Sequence, residues 1–176
     1  MVETYKALDR RVREGFFERY MQGSGVDVGC GTDPVTADCA TWDRPNDAHK
    51  LEGGPYDWVY SSHCLEHLER PDIAIQSWWS CLKPGGRLIL SLPHRDLYEK
   101  RKTLPSRWNG EHKTFWMPVH NEEPHTIGLL TFVCTMIPEA ETLRLVVEDA
   151  GWQPCPEEVH SGGEYSIEGV WRKPSA

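Results

Sequence analysis

A short apolar run that ends in two spaced glycines sets the frame for this chain. Val26-Asp27-Val28 runs directly into Gly29-Cys30-Gly31. Such a run reads as a buried strand turning sharply at its carboxyl end. Glycine lets the backbone of that turn approach a ligand closely. In an open parallel sheet, ligands bind at the carboxyl ends of the strands. The remaining pattern agrees with such a sheet. Short strands are predicted at 40–43, 57–60 and 87–92. A helix is predicted over 71–82, where Pro71 and Asp72 suit the first turn and Ile75, Trp78, Trp79 and Leu82 share one face. Lys83-Pro84-Gly85-Gly86 marks its end. A second helix is predicted over 138–150 from Leu143, Val146, Val147 and Ala150, with Gly151 closing it. Strands at 153–160 and 165–172, joined at Gly162-Gly163, complete a closing hairpin. An amphipathic N-terminal helix within 1–22 carries Tyr5, Leu8, Val12, Phe16 and Tyr20 on its apolar face. The expected architecture is one α/β domain over 1–176, mostly parallel, with an antiparallel C-terminal hairpin.

Residues 93–137 break this rhythm. They show weak periodicity and hold His94, His112, His120, His125, Trp108 and Trp116. A long irregular stretch inside a compact domain is usually functional or disordered; the aromatic content here favours function, and the stretch is expected to form a lid and substrate pocket. Its 95–113 portion carries six cations (Arg95, Lys100, Arg101, Lys102, Arg107, Lys113) against Asp96, Glu99 and Glu111, so 6 − 3 = +3. That excess suits an anionic small molecule.

Composition narrows the classes. With 19 Lys plus Arg against 27 Asp plus Glu, the formal charge is −8, a poor basis for non-specific nucleic-acid binding. No apolar run approaches the ~20 residues that span a bilayer. Met1–Arg13 is charged and lacks the apolar core of a secretory signal. The six cysteines are scattered, which predicts reduced thiols in a cytoplasmic protein. Oligomeric state is not assigned.

The glycine turn does not complete a dinucleotide fingerprint. Position 34 is Pro34 where a third glycine is needed, and the nearest acid ending a strand-like stretch, Asp43, follows Gly31 by only 12 residues rather than the ~20 expected. A nicotinamide oxidoreductase is disfavoured. Asp27, ahead of the glycines, instead suits a cofactor bearing an ammonium group.

Here the residues resemble a family. Val26–Thr32 is similar to the first motif of class I S-adenosylmethionine-dependent methyltransferases, in the small-molecule, type 11-like branch. Asp43 resembles the acid ending their second strand, and Asn46–Leu51 their adenine-side loop. Tyr56–Leu68 resembles their fourth-strand motif, Lys83–Leu90 the turn into their fifth strand, and Leu143–Trp152 their last helix. The likeness covers roughly 24–94 and 138–172. It implies a Rossmann-like sheet, S-adenosyl-L-methionine as cofactor with S-adenosyl-L-homocysteine as product, and a small-molecule acceptor, anionic or sugar-type. It places Asp27 near the methionine amino group, Gly29, Cys30 and Gly31 against the cofactor, and Asp43 on the ribose hydroxyls. Asp47 and Ala48 face the adenine, and Ser61 and His63 lie near the sulfonium. His94, following the fifth strand, and His112 are the candidate general bases. Two departures stand out: Asp33 occupies the third glycine position, and Thr32–Ala40 is only nine residues with Pro34 inside, so the first helix is expected to shrink to a turn.

Other readings compete. A methyltransferase-like domain without catalysis would serve as a binding or partner-interaction module; the shortened helix and eight tryptophans favour it. His63-Cys64-Leu65-Glu66-His67 matches an inverted zinc-peptidase pattern that would pair His63 with His67. His112, His120 and His125 with Glu111, Glu122 and Glu123 form a looser group. Neither matches the rest of a metal enzyme, and no residue is assigned to a metal.

Overall fold

The computed structural model describes residues 3–175. Residues 1, 2 and 176 of the expected single domain lie outside the described residues. Six strands form one sheet: β1 (Gly25–Val28), β2 (Ala40–Trp42), β3 (Tyr56–Ser62), β4 (Leu82–Pro93), β7 (Glu141–Glu148) and β8 (Ser166–Arg172). Their order is β2-β1-β3-β4-β8-β7. The first four run parallel, while β8 is antiparallel to both β4 and β7. This is the expected mostly parallel α/β sheet with its antiparallel C-terminal pair. The step from β1 outward to β2 and back to β3 is a change of direction, and it opens a crevice at the carboxyl ends of those strands.

Both faces of the sheet are covered. Val26, Val59, Leu88, Leu90, Ile167 and Trp171 pack on one side against α4 (Pro71–Ser80) and α6 (Leu129–Met136). Trp58, Tyr60, Ile89 and Val170 pack on the other against Phe16 and Tyr20 of α3 (Phe16–Tyr20). The α4 helix is as expected, with Pro71 in its first turn and Ile75, Trp78 and Trp79 buried. Residues 29–39 hold no helix, so the first helix is indeed reduced to turns.

Three expectations are corrected. Residues 138–150 do not form a helix: 141–148 is strand β7. Its apolar positions fit either period, and pairing with β8 along 141–148 wins because β8 would otherwise present an open edge. The hairpin is therefore β7–β8; 153–160 is irregular, and Gly162-Gly163 lies within a long connection. The 93–137 segment is more ordered than expected. It holds α5 (Arg95–Tyr98), a parallel pair β5 (Phe115–Met117) and β6 (Thr126–Gly128), and α6.

The N-terminal helix is the third correction. It is broken into α1 (Glu3–Lys6), α2 (Leu8–Arg13) and α3, with Gly15 at φ +63° where α3 begins. Phe16 and Tyr20 are buried as expected, yet Tyr5 and Val12 are exposed while Arg11 is fully buried. The reason is Glu168, in the middle of β8 with no exposure. Its carboxylate accepts from Arg11 Nε at 2.7 Å and from Arg144 Nε at 3.0 Å, with Arg10 at 3.3 Å. Arg11 Nη1 also donates to Tyr60 Oη at 2.8 Å. Burial alone would raise the Glu168 carboxyl; Arg11 and Arg10 outweigh it and hold it below the usual range.

Glu168 is the carboxylate paired with Arg11 among the described residues. Glu168→Leu should therefore cost about 3–5 kcal/mol by leaving a buried guanidinium without its counter-charge. Urea unfolding should show this loss, and adding Arg11→Met should recover part of it.

Candidate active site

The crevice at the carboxyl ends of β1, β2 and β3 is a cleft of about 520 Å³, lined in part by Gly29, Asp43, Asp47, Ala48, His63 and His67. Its floor follows from the glycine turn. Gly29 has φ +79°, and a Cβ there would fall 2.5 Å from Cys64 Sγ, so only glycine fits. Gly31 has φ +58° with open space around it. Asp43 closes the turn: one carboxylate oxygen accepts from the Gly31 N–H, and the other from Arg44 N at 2.6 Å. Asp47 accepts from His49 N at 2.9 Å and from its ring at 2.8 Å, which holds its carboxyl below the usual range. Ala48 anchors the same loop, its carbonyl accepting from Trp78 Nε1 at 2.7 Å.

Other expected site residues are not part of the cleft lining. Asp27 is buried and accepts from Val35 N at 2.8 Å. Burial pushes its carboxyl up to about 7, against the opposing pull of the Val35 N–H and Arg11. Ser61 is buried and donates to the Val28 carbonyl at 2.8 Å, joining β3 to β1. The Cys30 thiol, beside Asp27 and Asp43, is pushed up to about 11, chiefly by burial, and stays protonated at neutral pH. His94 is buried at the start of α5, where burial lowers its pKa. His112 is buried too, with Nδ1 at 2.8 Å from Glu99. Neither His94 nor His112 lines the cleft.

The histidines on the cleft wall are His63 and His67. His63 turns the chain out of β3 at φ +49°, and its Nε2 lies 3.0 Å from Ser166 Oγ. His67 ends the single 3-10 turn Leu65–His67. Burial, and then His112, push its pKa down to about 4, so it is a neutral imidazole at pH 7. The looser histidine group does not assemble. His125 accepts from Leu104 N, Glu122 pairs with Arg95 and Lys102, and Glu111 faces Arg44. The basic segment is also largely neutralised. Arg107 pairs with Glu157 and Lys113 with Glu69, while Lys100 donates to the Val159 carbonyl. None of its six cations lines the cleft. Trp42, Asn46, Leu68 and Asn109 also line the cleft, and sequence reasoning assigned none of them an individual role. Trp42, Asn46 and Leu68 fall in or beside the recognised motifs, whereas Asn109, in the 93–137 segment, carries no such signal.

A family model described as a methyltransferase domain matches residues 7–155. The chain belongs to the class I S-adenosylmethionine-dependent methyltransferase family. Solved structures agree on the fold. The N-methyltransferase NodS from Bradyrhizobium japonicum is 13% identical, with 99% of this chain and 100% of that one covered and a TM-score of 0.59. The same protein in complex with S-adenosyl-L-homocysteine is 15% identical over 99% and 100%, with a TM-score of 0.55. An S-adenosylmethionine-dependent methyltransferase from Clostridium acetobutylicum is 12% identical over 99% and 93%, with a TM-score of 0.59. No curated protein sequence matches the chain. Among the described residues no helix is long and apolar enough to cross a membrane.

Two predictions follow from this geometry. Because folding raises the Asp27 pKa from 3.8 to about 7, its contribution to stability is full below pH 3.8 and is lost as pH rises toward 7. Asp27→Asn should flatten that decline in unfolding free energy across the window. Gly29→Ala should destabilise clearly more than Gly31→Ala, which meets no neighbour and costs about 1–2 kcal/mol for its left-handed backbone.

Proposed function

We propose that this chain transfers the methyl group of S-adenosyl-L-methionine to a small acceptor bound beside the cleft. The observation that carries the reading is the cleft itself, at the change of strand direction in a methyltransferase-family sheet, with Asp43 and Asp47 on its wall. The residues present fit the cofactor. Each oxygen of an ionised carboxylate accepts about two hydrogen bonds. Asp43 uses one on each oxygen for the turn, so acceptor capacity remains for two ribose hydroxyls. Gly29 leaves room for a close backbone approach, and Asp47 with Ala48 stands at the adenine end.

The bound cofactor supplies an activated methyl on a sulfonium, and the chain supplies orientation and exclusion of water. Asp27, behind the turn, adds negative potential at the methionine end once it ionises near pH 7. The 93–137 segment covers the acceptor side through Asn109 and Glu111. With none of the six cations of 95–113 on the cleft wall, a hydroxyl-rich, sugar-type acceptor suits the cleft better than an anionic one. His94 and His112 remain the candidate bases by position, acting only where the acceptor starts protonated.

The second reading, a binding module without catalysis, is favoured by the Asp27–Val35 bond, which ties the methionine-end acid into the helix-free loop. Calorimetric titration with S-adenosyl-L-homocysteine and S-adenosyl-L-methionine separates the two. Binding near one per chain, weakened about 10- to 100-fold in Asp43→Ala, supports the enzyme. An absence of binding at millimolar ligand sinks the catalytic reading and leaves the module.

A further inference from the structure

Beside the acceptor end of the cleft, three side chains converge; of these the methyl-transfer reading uses only His112, as one of two candidate bases, a role that a bound ion would leave to His94. Potential ligand atoms of Glu66, His67 and His112 all lie within 4.8 Å of one another. Glu66 Oε1 is 3.9 Å from His67 Nε2 and 3.9 Å from His112 Nε2. Those separations are too long for hydrogen bonds. They are close to the ~3.4 Å that separates two ligands on a tetrahedral ion with bonds of about 2.0–2.2 Å. About half an ångström of side-chain movement closes that difference at Glu66, and all three ligand atoms already lie within 4.8 Å of one another.

The fold builds this convergence. Glu66 and His67 sit on the 3-10 turn after β3. The Glu66 carbonyl accepts from Lys113 N at 2.7 Å, which clips the 109–114 segment against that turn and brings His112 over. His112 is then oriented from behind. Its Nδ1 lies 2.8 Å from Glu99 Oε1, and Glu99 accepts in turn from Ser106 Oγ at 2.7 Å and Arg107 N at 3.1 Å. A carboxylate on one ring nitrogen leaves the other as a lone pair, the arrangement that supports metal-bound histidines. Glu66, His112 and Glu99 are all buried, while His67 reaches the cleft wall.

We propose that Glu66, His67 and His112 hold one divalent transition-metal ion of the zinc class at the acceptor side of the cleft. Two imidazoles and one carboxylate suit such an ion and leave at least one coordination position open. His67 itself lines the cleft, so an ion it holds would sit at the cleft wall, where that position would take an oxygen of the acceptor. The acceptor role rests on the methyl-transfer reading; the ion site does not. The pairing differs from the His63–His67 pattern visible in the sequence, because the partner of His67 comes from the 93–137 segment.

The test is titration of chelator-treated full-length protein with Co²⁺ and Zn²⁺, followed by calorimetry and by the visible spectrum of Co²⁺. One ion per chain is expected, with no thiolate charge-transfer band. His67→Asn and His112→Ala should abolish binding, and Glu99→Gln should weaken it about 10- to 100-fold. Circular dichroism checks each variant; if His112→Ala does not fold, His67→Asn and Glu99→Gln decide. No binding, binding unchanged in His67→Asn and Glu99→Gln, or a thiolate band would overturn the site. Parallel titration with S-adenosyl-L-homocysteine keeps the two readings apart. Nucleoside binding without metal fails this proposal alone, and metal binding without nucleoside fails the methyl-transfer reading alone.

Discussion

A carboxylate with no solvent exposure in the middle of β8 is the constraint around which this domain is arranged. Glu168 is tolerable there only because Arg10, Arg11 and Arg144 reach it from two directions. Arg10 and Arg11 come from α2, so the N-terminal segment must lie across the face of the sheet that carries Tyr60 and Val170. Arg144 comes from β7, so the edge strand must pair with β8 in the register that sets Arg144 opposite Val170 and Val146 opposite Glu168. One buried charge thus couples the N-terminus, the sheet centre and the C-terminal edge. Arg10 extends the network to Glu164, at the end of the long β7–β8 connection, with contacts at 2.9 Å.

This arrangement explains which parts of the chain were legible in its sequence. The strand–glycine turn, the spacing to Asp43 and the α4 pattern are local features, set by backbone conformation and by one buried stripe. They read correctly because the physics that determines them acts within a few residues. The N-terminal segment misleads for the opposite reason. Arg10 and Arg11 look like a solvated face, since their carboxylate partner lies some 157 residues away. The β7 strand misleads because Leu143, Val146 and Val147 satisfy a helical period as well as a strand with a bulge near Leu143. The α6 helix is only eight residues, and Thr131 and Thr135 interrupt it, so its buried stripe of Leu129 and Val133 is too short to stand out.

The site divides in the same way. Gly29, Asp43, Asp47, Ala48 and His63 were legible because they sit on or just after strand ends, where the family likeness is densest, and all five line the cleft. Glu99 carried no signal at all. Its significance comes from Ser106, Arg107 and His112 folding around it, an assembly within the 93–137 segment that no periodic pattern announces. Glu66 and His67 were visible as a motif, but their third partner was not.

The shortened first helix has a consequence for how the cofactor turn is held. In a full helix, the first turn of N–H groups points at the ligand and needs it, or a cap, for satisfaction. Here the N–H groups of Gly31, Val35 and Arg44 are taken up by the carboxylates of Asp43 and Asp27 instead. Two acids therefore perform the organising that a helix terminus would. They place negative rather than positive potential at the turn, which suits a cofactor carrying a sulfonium and an ammonium better than one carrying phosphates. The same substitution gives Asp27 and Asp43 a structural role, and Asp43 also stands on the cleft wall. Loss of the helix is thus compatible with a site of this charge type, and leaves the turn less suited to the phosphates of a dinucleotide.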